Sequence, residues 1–315
     1  MNRFLFRCRW PFVAALMVVA AGAAGAAREP QAGTEKSVYV MVTDAQTNKP
    51  VTGLPASAFA IREDNIDRDV VRVAQITEPM SVVLLADTTT AMLPYPTDLR
   101  TAPAAFIKRF LTNSPKSSLA LWEFGGADIP VETFTSDAAK LEQATTKLFP
   151  KGTFSEVDMI AAGSAVLRGQ NVVGSNLIEA LAGASRVLAK RPETRRVIVS
   201  FNSDLSTESN GVTGQQAQNE LEKANVSVLA LSMQAHVANG PQRDNVLDGV
   251  CPYSGGRRIT ILGIQALAAT LENASDILTS QYVVTYSRPS GSAKQVLVGM
   301  KLQGLKASTA RWAPK

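Results

Sequence analysis

The 315 residues carry 32 Lys and Arg against 27 Asp and Glu, a formal net charge of +5, with 45% hydrophobic residues, two cysteines and one histidine. No basic stripe runs along the sequence, which argues against nucleic-acid binding, and the scarcity of His and Cys argues against a zinc hydrolase. Neither G-x-x-x-x-G-K-[ST] nor G-x-G-x-x-G occurs, so the common nucleotide cradles are excluded.

In chain order, the first element is a targeting segment. Arg3, Arg7 and Arg9 precede an apolar stretch, Pro11 to Ala21, and small residues follow to Ala27. This predicts a secretory signal over residues 1–27, cleaved after Ala26 or Ala27. The run from Pro11 to Ala27 counts 17 residues, short of the roughly 20 that a membrane helix needs. An exported chain, periplasmic or secreted, with no membrane span after signal removal is therefore expected. Cleavage removes three arginines and no acid, so the net charge falls from +5 to +2. It also removes Cys8 and leaves Cys251 alone, which rules out an intramolecular disulfide in the exported form.

Residues 28–78 read as an amino-terminal β segment, with strands at Ser37–Thr43, Phe59–Glu63 and Asp69–Ile76 separated by turn residues. Short strands without helices bury little surface alone and must pack on something else. From 79 to 280 the pattern changes. Apolar runs at Val82–Ala86, Leu119–Phe124, Val197–Phe201 and Val226–Leu231 alternate with helices near Leu99–Leu111, Asp137–Leu148, Asn176–Lys190 and Gly214–Lys223. In the third of these helices Leu177, Ala180, Leu181, Ala184, Val187 and Leu188 form one apolar stripe. Alternation of this kind predicts an α/β fold, a doubly wound and mainly parallel sheet with helices on both faces. GADIP, after Phe124, reads as a turn.

A last helix is expected at Ile264–Leu278. Residues 281–315 then return to strands, at Gln281–Tyr286, Gln295–Leu302 and near Thr309–Trp312. These are expected to pair with the amino-terminal segment in a small antiparallel β unit built from both termini.

Ser81 to Met92, SVVLLADTTTAM, is the stretch that points to a site. A buried strand ends in Asp87 and is followed by the hydroxyls of Thr88, Thr89 and Thr90, and open α/β sheets place ligands beyond such strand ends. Mg²⁺ takes oxygen ligands in near-octahedral geometry. Asp87 with hydroxyls two and four residues on would place three oxygens on one side of an ion, but the fourth-residue position is Ala91. Further oxygens are available from Ser175, just before a helix, and Asp204, just after a strand.

With these residues the chain resembles the von Willebrand factor type A (VWFA) domain and its metal-ion-dependent adhesion site. The family's Asp-x-Ser-x-Ser corresponds to Asp87, Thr89 and Ala91, its Thr before the third helix to Ser175, and its later Asp to Asp204. An ungapped alignment of that strand places Ser203 there instead. LEKANVSVLALSM and SGGRRI resemble later family elements. VYVMVTD, VTGLPASAFAIRED and QYVVTY resemble a secreted bacterial subfamily in which strands flank the A domain. The resemblance implies a non-enzymatic binding module with a degenerate adhesion site. Asp87, Thr89 and Ser175 would be ligands of Mg²⁺ or Mn²⁺, with Asp204 acting through water. The partner would be a protein or surface polymer, offering an acidic residue to the open coordination position.

Other readings stay open. Asp87 also suits a carboxylate that accepts hydrogen bonds from the loop after its strand, in a metal-free scaffold that binds through loops or the β unit. An α/β hydrolase would have to use His236, with Ser232 the nearest serine and no G-x-S-x-G elbow. Glu156 and Asp158, in the stretch before Ser175, are expected on the rim of the site. Cys251 reads as a small buried residue near a turn.

Overall fold

The computed structural model describes residues 34–127, 129–153, 173–208, 211–234, 241–289 and 291–314. The signal segment 1–27, the rim residues Glu156 and Asp158, and His236 lie outside the described residues.

Strands from the two ends of the chain interleave. β1 (Thr34–Asp44) pairs antiparallel with β11 (Tyr282–Arg288) and with β13 (Leu305–Ser308), and β11 also pairs with β4 (Val70–Gln75). A second sheet joins β2 (Phe59–Glu63), β3 (Ile66–Arg68) and β12 (Val296–Met300). Asp64 and Asn65, both at positive φ, make the two-residue turn between β2 and β3, in keeping with the left-handed conformation such hairpins require. The sheets enclose Val40, Phe59, Ile61, Tyr282, Val284, Tyr286 and Val296. Pairing of the two termini thus follows the sequence pattern. The last strand does not: it ends at Ser308, and Ala310 and Trp312 make only isolated bridges to Ser254 and Gln295.

The larger sheet has the order β10-β9-β8-β5-β6-β7. Its members are β5 (Met80–Asp87), β6 (Ser118–Phe124), β7 (Ile129–Thr135), β8 (Arg195–Ser203), β9 (Val226–Met233) and β10 (Arg257–Ile261). All neighbours are parallel except β6 and β7. Every residue of β5 is buried, as a central parallel strand covered on both faces requires. β7 corrects the sequence reading, which ended GADIP as a turn. Its Pro130 and a pattern without a buried residue belong to an edge strand, where proline is tolerated and no apolar run is demanded.

Helices cover both faces. On one lie α1 (Asp98–Asn113), α2 (Ala138–Thr145) and α6 (Leu267–Thr279), contributing Leu99, Phe106, Phe110, Leu141 and Leu271. On the other lie α3 (Leu177–Leu188), α4 (Gly214–Ala224) and α5 (Pro241–Tyr253), contributing Leu177, Leu181, Leu221, Leu247 and Cys251. Helix α5 is absent from the sequence reading, because PQRDN opens it with polar residues and only Leu247, Val250 and Cys251 mark a buried stripe. The helix expected from Ile264 starts as a 3-10 turn and becomes α-helical at Leu267. No helix of the described residues is long and apolar enough to cross a membrane.

Candidate functional site

Asp87 closes β5 with its carboxylate fully buried. Its Oδ1 accepts the Thr89 N–H at 2.8 Å and its Oδ2 accepts the Ser203 N–H at 2.8 Å. The first of these is the local turn that Asp side chains favour; the second ties β5 to the end of β8. Burial pushes the carboxyl above its usual range, against the opposing effect of Thr89, the Ser203 N–H and the charge of Arg243.

The three threonines that follow anchor three different places. Thr88 donates to the Phe124 carbonyl at 2.9 Å, holding the loop to β6. Thr89 meets the Ser206 hydroxyl at 2.6 Å. Thr90 donates to the Lys151 carbonyl at 3.0 Å and accepts the Val173 N–H at 2.7 Å. Gly125, at φ +132°, lets this loop come close, since a Cβ there would lie 3.0 Å from the Thr89 nitrogen. Ala91 is buried in the 3-10 turn Thr90–Met92.

Ser175 stands before α3. Its N–H donates to the Thr207 carbonyl at 2.7 Å, and its hydroxyl accepts the Leu177 N–H at 3.2 Å. Glu208 accepts the Ile178 N–H at 3.1 Å, so two of the N–H groups that a helix start leaves open are satisfied here. Asn176 accepts the Gly125 N–H at 2.9 Å and returns this segment to β6.

Asp204 lies beside two arginines that sequence reasoning missed. Its Oδ1 lies 3.6 Å from Arg243 Nη2 and 3.5 Å from Arg258 Nη2. Arg258, on β10, also approaches Asp244 at 2.8 Å and Asp248 at 3.2 Å. Burial and the neighbouring Asp244 raise the Asp204 carboxyl to about 6 despite both guanidinium groups. The residue that meets Asp87 at the end of β8 is Ser203, the position that the ungapped alignment selects. Arg258 had a signal, in SGGRRI. Arg243 had none, standing in a polar stretch that does not look like a buried helix.

These residues do not fit a divalent ion. Mg²⁺ needs several free oxygens around an octahedron. Here each Asp87 oxygen accepts one backbone N–H, the Thr89 hydroxyl pairs with Ser206 and the Ser175 hydroxyl accepts from Leu177, which leaves each oxygen a single further lone pair. Position 91 brings no oxygen, and a buried guanidinium already stands beside the carboxylates. Among the described residues no group of three or more His, Cys, Asp or Glu is arranged to hold a metal.

The chain is a mixed α/β structure with a mostly parallel central sheet between helices, accompanied by antiparallel sheet. No protein-family model and no curated protein matches it. Similar solved structures include proximal thread matrix protein 1 from the mussel byssus with a zinc-occupied MIDAS motif, at 11% identity and TM-score 0.48 over 70% of this chain and 50% of that one. The vWF domain of the type V pili tip protein Mfa5 from Porphyromonas gingivalis is 12% identical at TM-score 0.47, over 64% of this chain and 96% of that one. A von Willebrand factor type A protein from Catenulispora acidiphila is 10% identical at TM-score 0.46, over 91% and 75%. This chain spans about half the length of the mussel protein.

Proposed function

We propose that this chain is an exported, non-enzymatic binding module that presents the carboxyl-end face of its α/β domain, residues 79–280, to a protein or surface polymer without a bound metal ion. In this reading residues 1–27 direct export, and segments 28–78 and 281–315 form the β unit beside the binding domain. The observation that carries the reading is Ala91, buried in the turn after Asp87 where an adhesion site would need a hydroxyl oxygen. Asp87 holds the loop after β5 to the end of β8 by accepting one backbone N–H on each oxygen. The Thr88, Thr89, Thr90 and Asn176 contacts extend the same role, so the strand-end loops form one hydrogen-bonded platform. Loops held rigidly on a scaffold are where recognition concentrates.

Isothermal titration of Mg²⁺ and Mn²⁺ into the chain lacking residues 1–27, with Asp87→Ala as control, tests the metal-free reading. No heat is expected; a metal-specific heat lost in Asp87→Ala would restore the adhesion-site version. Affinity capture from an envelope fraction should retain the same protein or polymer with and without chelator, and capture that needs divalent cation would overturn the proposal. Absence of turnover on ester and peptide panels, unchanged in His236→Ala, is the expected outcome against the hydrolase alternative.

A further inference from the structure

Arg243 is among the largest side chains that are fully buried, and its position is not that of an ordinary structural arginine. Arg195, also buried, spends its guanidinium on the carbonyls of Glu78 and Leu278 and on the Gln281 amide. Arg243 instead stands among carboxylates. Its Nη1 donates to the Ser206 carbonyl at 3.1 Å and approaches Glu208 at 3.5 Å, its Nη2 lies 3.6 Å from Asp204, and its Nε lies 4.0 Å from Asp244. Nε and Nη2 have no hydrogen-bond partner of normal geometry among the described residues. The group therefore acts through charge more than through fitted hydrogen bonds.

The side chains of Asp204 and Glu208 are almost wholly removed from water. Buried carboxylates require compensation, because an ion taken out of water without a partner is strongly unfavourable. Arg243 supplies it from α5 to the loop after β8, whose Glu208 in turn accepts the Ile178 N–H at the start of α3. Arg258 adds a second positive charge from β10. Together the two arginines carry the charge of one divalent ion, and they tie the loop after β8 to α5 and β10.

We infer that Arg243 is a built-in cation that takes the electrostatic place of a divalent metal at the strand-end face. The inference rests on the metal-free reading above and goes beyond it, naming what replaces the ion. The face is then closed by the chain's own charge, and a partner carboxylate has no coordination position to complete. An acidic residue bridged by metal then has no part in recognition.

The test uses Mn²⁺ alone as probe, with thermal unfolding and calorimetric titration of wild type, Arg243→Met and Arg243→Lys. Methionine fills much of the volume without charge; lysine keeps the charge. Wild type is expected to show no heat and no Tm change in Mn²⁺. Arg243→Met should melt lower and regain several degrees in about 1 mM Mn²⁺, by binding to the folded state. Arg243→Lys should melt between the two and ignore Mn²⁺. Heat with wild type would overturn the metal-free reading itself. Silence of wild type, combined with an Arg243→Met protein that is as stable as wild type or indifferent to Mn²⁺, would overturn this inference alone. If Arg243→Met does not fold, the lysine variant decides: a folded Arg243→Lys silent to Mn²⁺ supports the built-in cation, and an unfolded one overturns it.

Discussion

Thr89 and Ser206 meet hydroxyl to hydroxyl at 2.6 Å, joining the loop after β5 to the loop after β8. Both are buried, so the Ser206 hydroxyl depends on Thr89 for a partner that water does not supply, while the Thr89 side chain also bonds the Asp87 carboxylate. Thr89→Val keeps the branched shape and strands the Ser206 hydroxyl, a loss of about 1–3 kcal/mol. The urea midpoint should fall with an unchanged slope; an unchanged midpoint would show that the pair adds nothing to stability.

Asp87 extends the same logic to a charge. Asp87→Asn retains one oxygen acceptor but sets an NH₂ donor against either the Thr89 or the Ser203 N–H. Each mismatched buried group costs about 1–3 kcal/mol. Asp87→Ala leaves both N–H groups without that acceptor. The order of urea midpoints should be wild type, then Asn, then Ala, and an asparagine variant as stable as wild type would contradict the assignment of both oxygens to backbone donors.

Gly256 tests the close approach of the turn before β10. A Cβ at this position would lie 1.8 Å from the Val228 carbonyl oxygen, inside β9. No rotamer relieves a clash with backbone. Gly256→Ala should unfold at markedly lower temperature, with the loss concentrated in β9 and β10 by hydrogen exchange. By contrast, Gly249→Ala, where a Cβ meets nothing within 4 Å, should be neutral or slightly stabilising because alanine favours a helix.

The apolar runs of β5, β6, β8 and β9 were legible because a strand buried on both faces must be apolar throughout. The stripe on α3 was legible for a similar reason. β7 and α5 were not, since an edge strand and a polar-fronted helix impose no such pattern, and Pro130 and Arg243 both point away from regular structure. Of the site, Asp87 and its threonines stood out in SVVLLADTTTAM. Their partners Ser203 and Ser206, and the cation Arg243, are small or polar residues whose meaning comes only from the sheet order that brings β8 and α5 beside β5.

Glu63 makes the β unit sensitive to acid. Its Oε1 accepts from Tyr286 at 2.6 Å and from Arg288 Nε at 2.8 Å, and Arg68 lies 3.3 Å from Oε2. Burial alone would raise this carboxyl, but Arg288, Tyr286 and Arg68 outweigh it and hold it below its usual value. A lowered folded-state value means that the stabilisation is complete above the unfolded pKa, about 4.3 for Glu, and is lost as the pH falls through the folded value. Glu63→Gln leaves Arg288 without its buried counter-charge and should cost about 3–5 kcal/mol at neutral pH. Thermal unfolding of both proteins from pH 7 to 3 should show the gap narrowing on the acid side. A gap constant over that range would mean that Glu63 is not the titrating group.

Cys251 offers a probe of opening in the α/β domain. It is fully buried on α5 against the sheet, and burial pushes its thiol up to about 12. The thiolate is the reactive form, so neither access nor ionisation favours reaction in the folded state. In a Cys8→Ser background, a disulfide exchange reagent at pH 8 should leave the native protein unmodified and label one thiol in urea. Because Cys251 shares its helix with Arg243, the Arg243→Met variant should label faster under native conditions if the lost charge loosens α5, and Mn²⁺ should slow that labelling again. Equal rates in wild type and variant would place the energetic effect of Arg243 elsewhere than in α5.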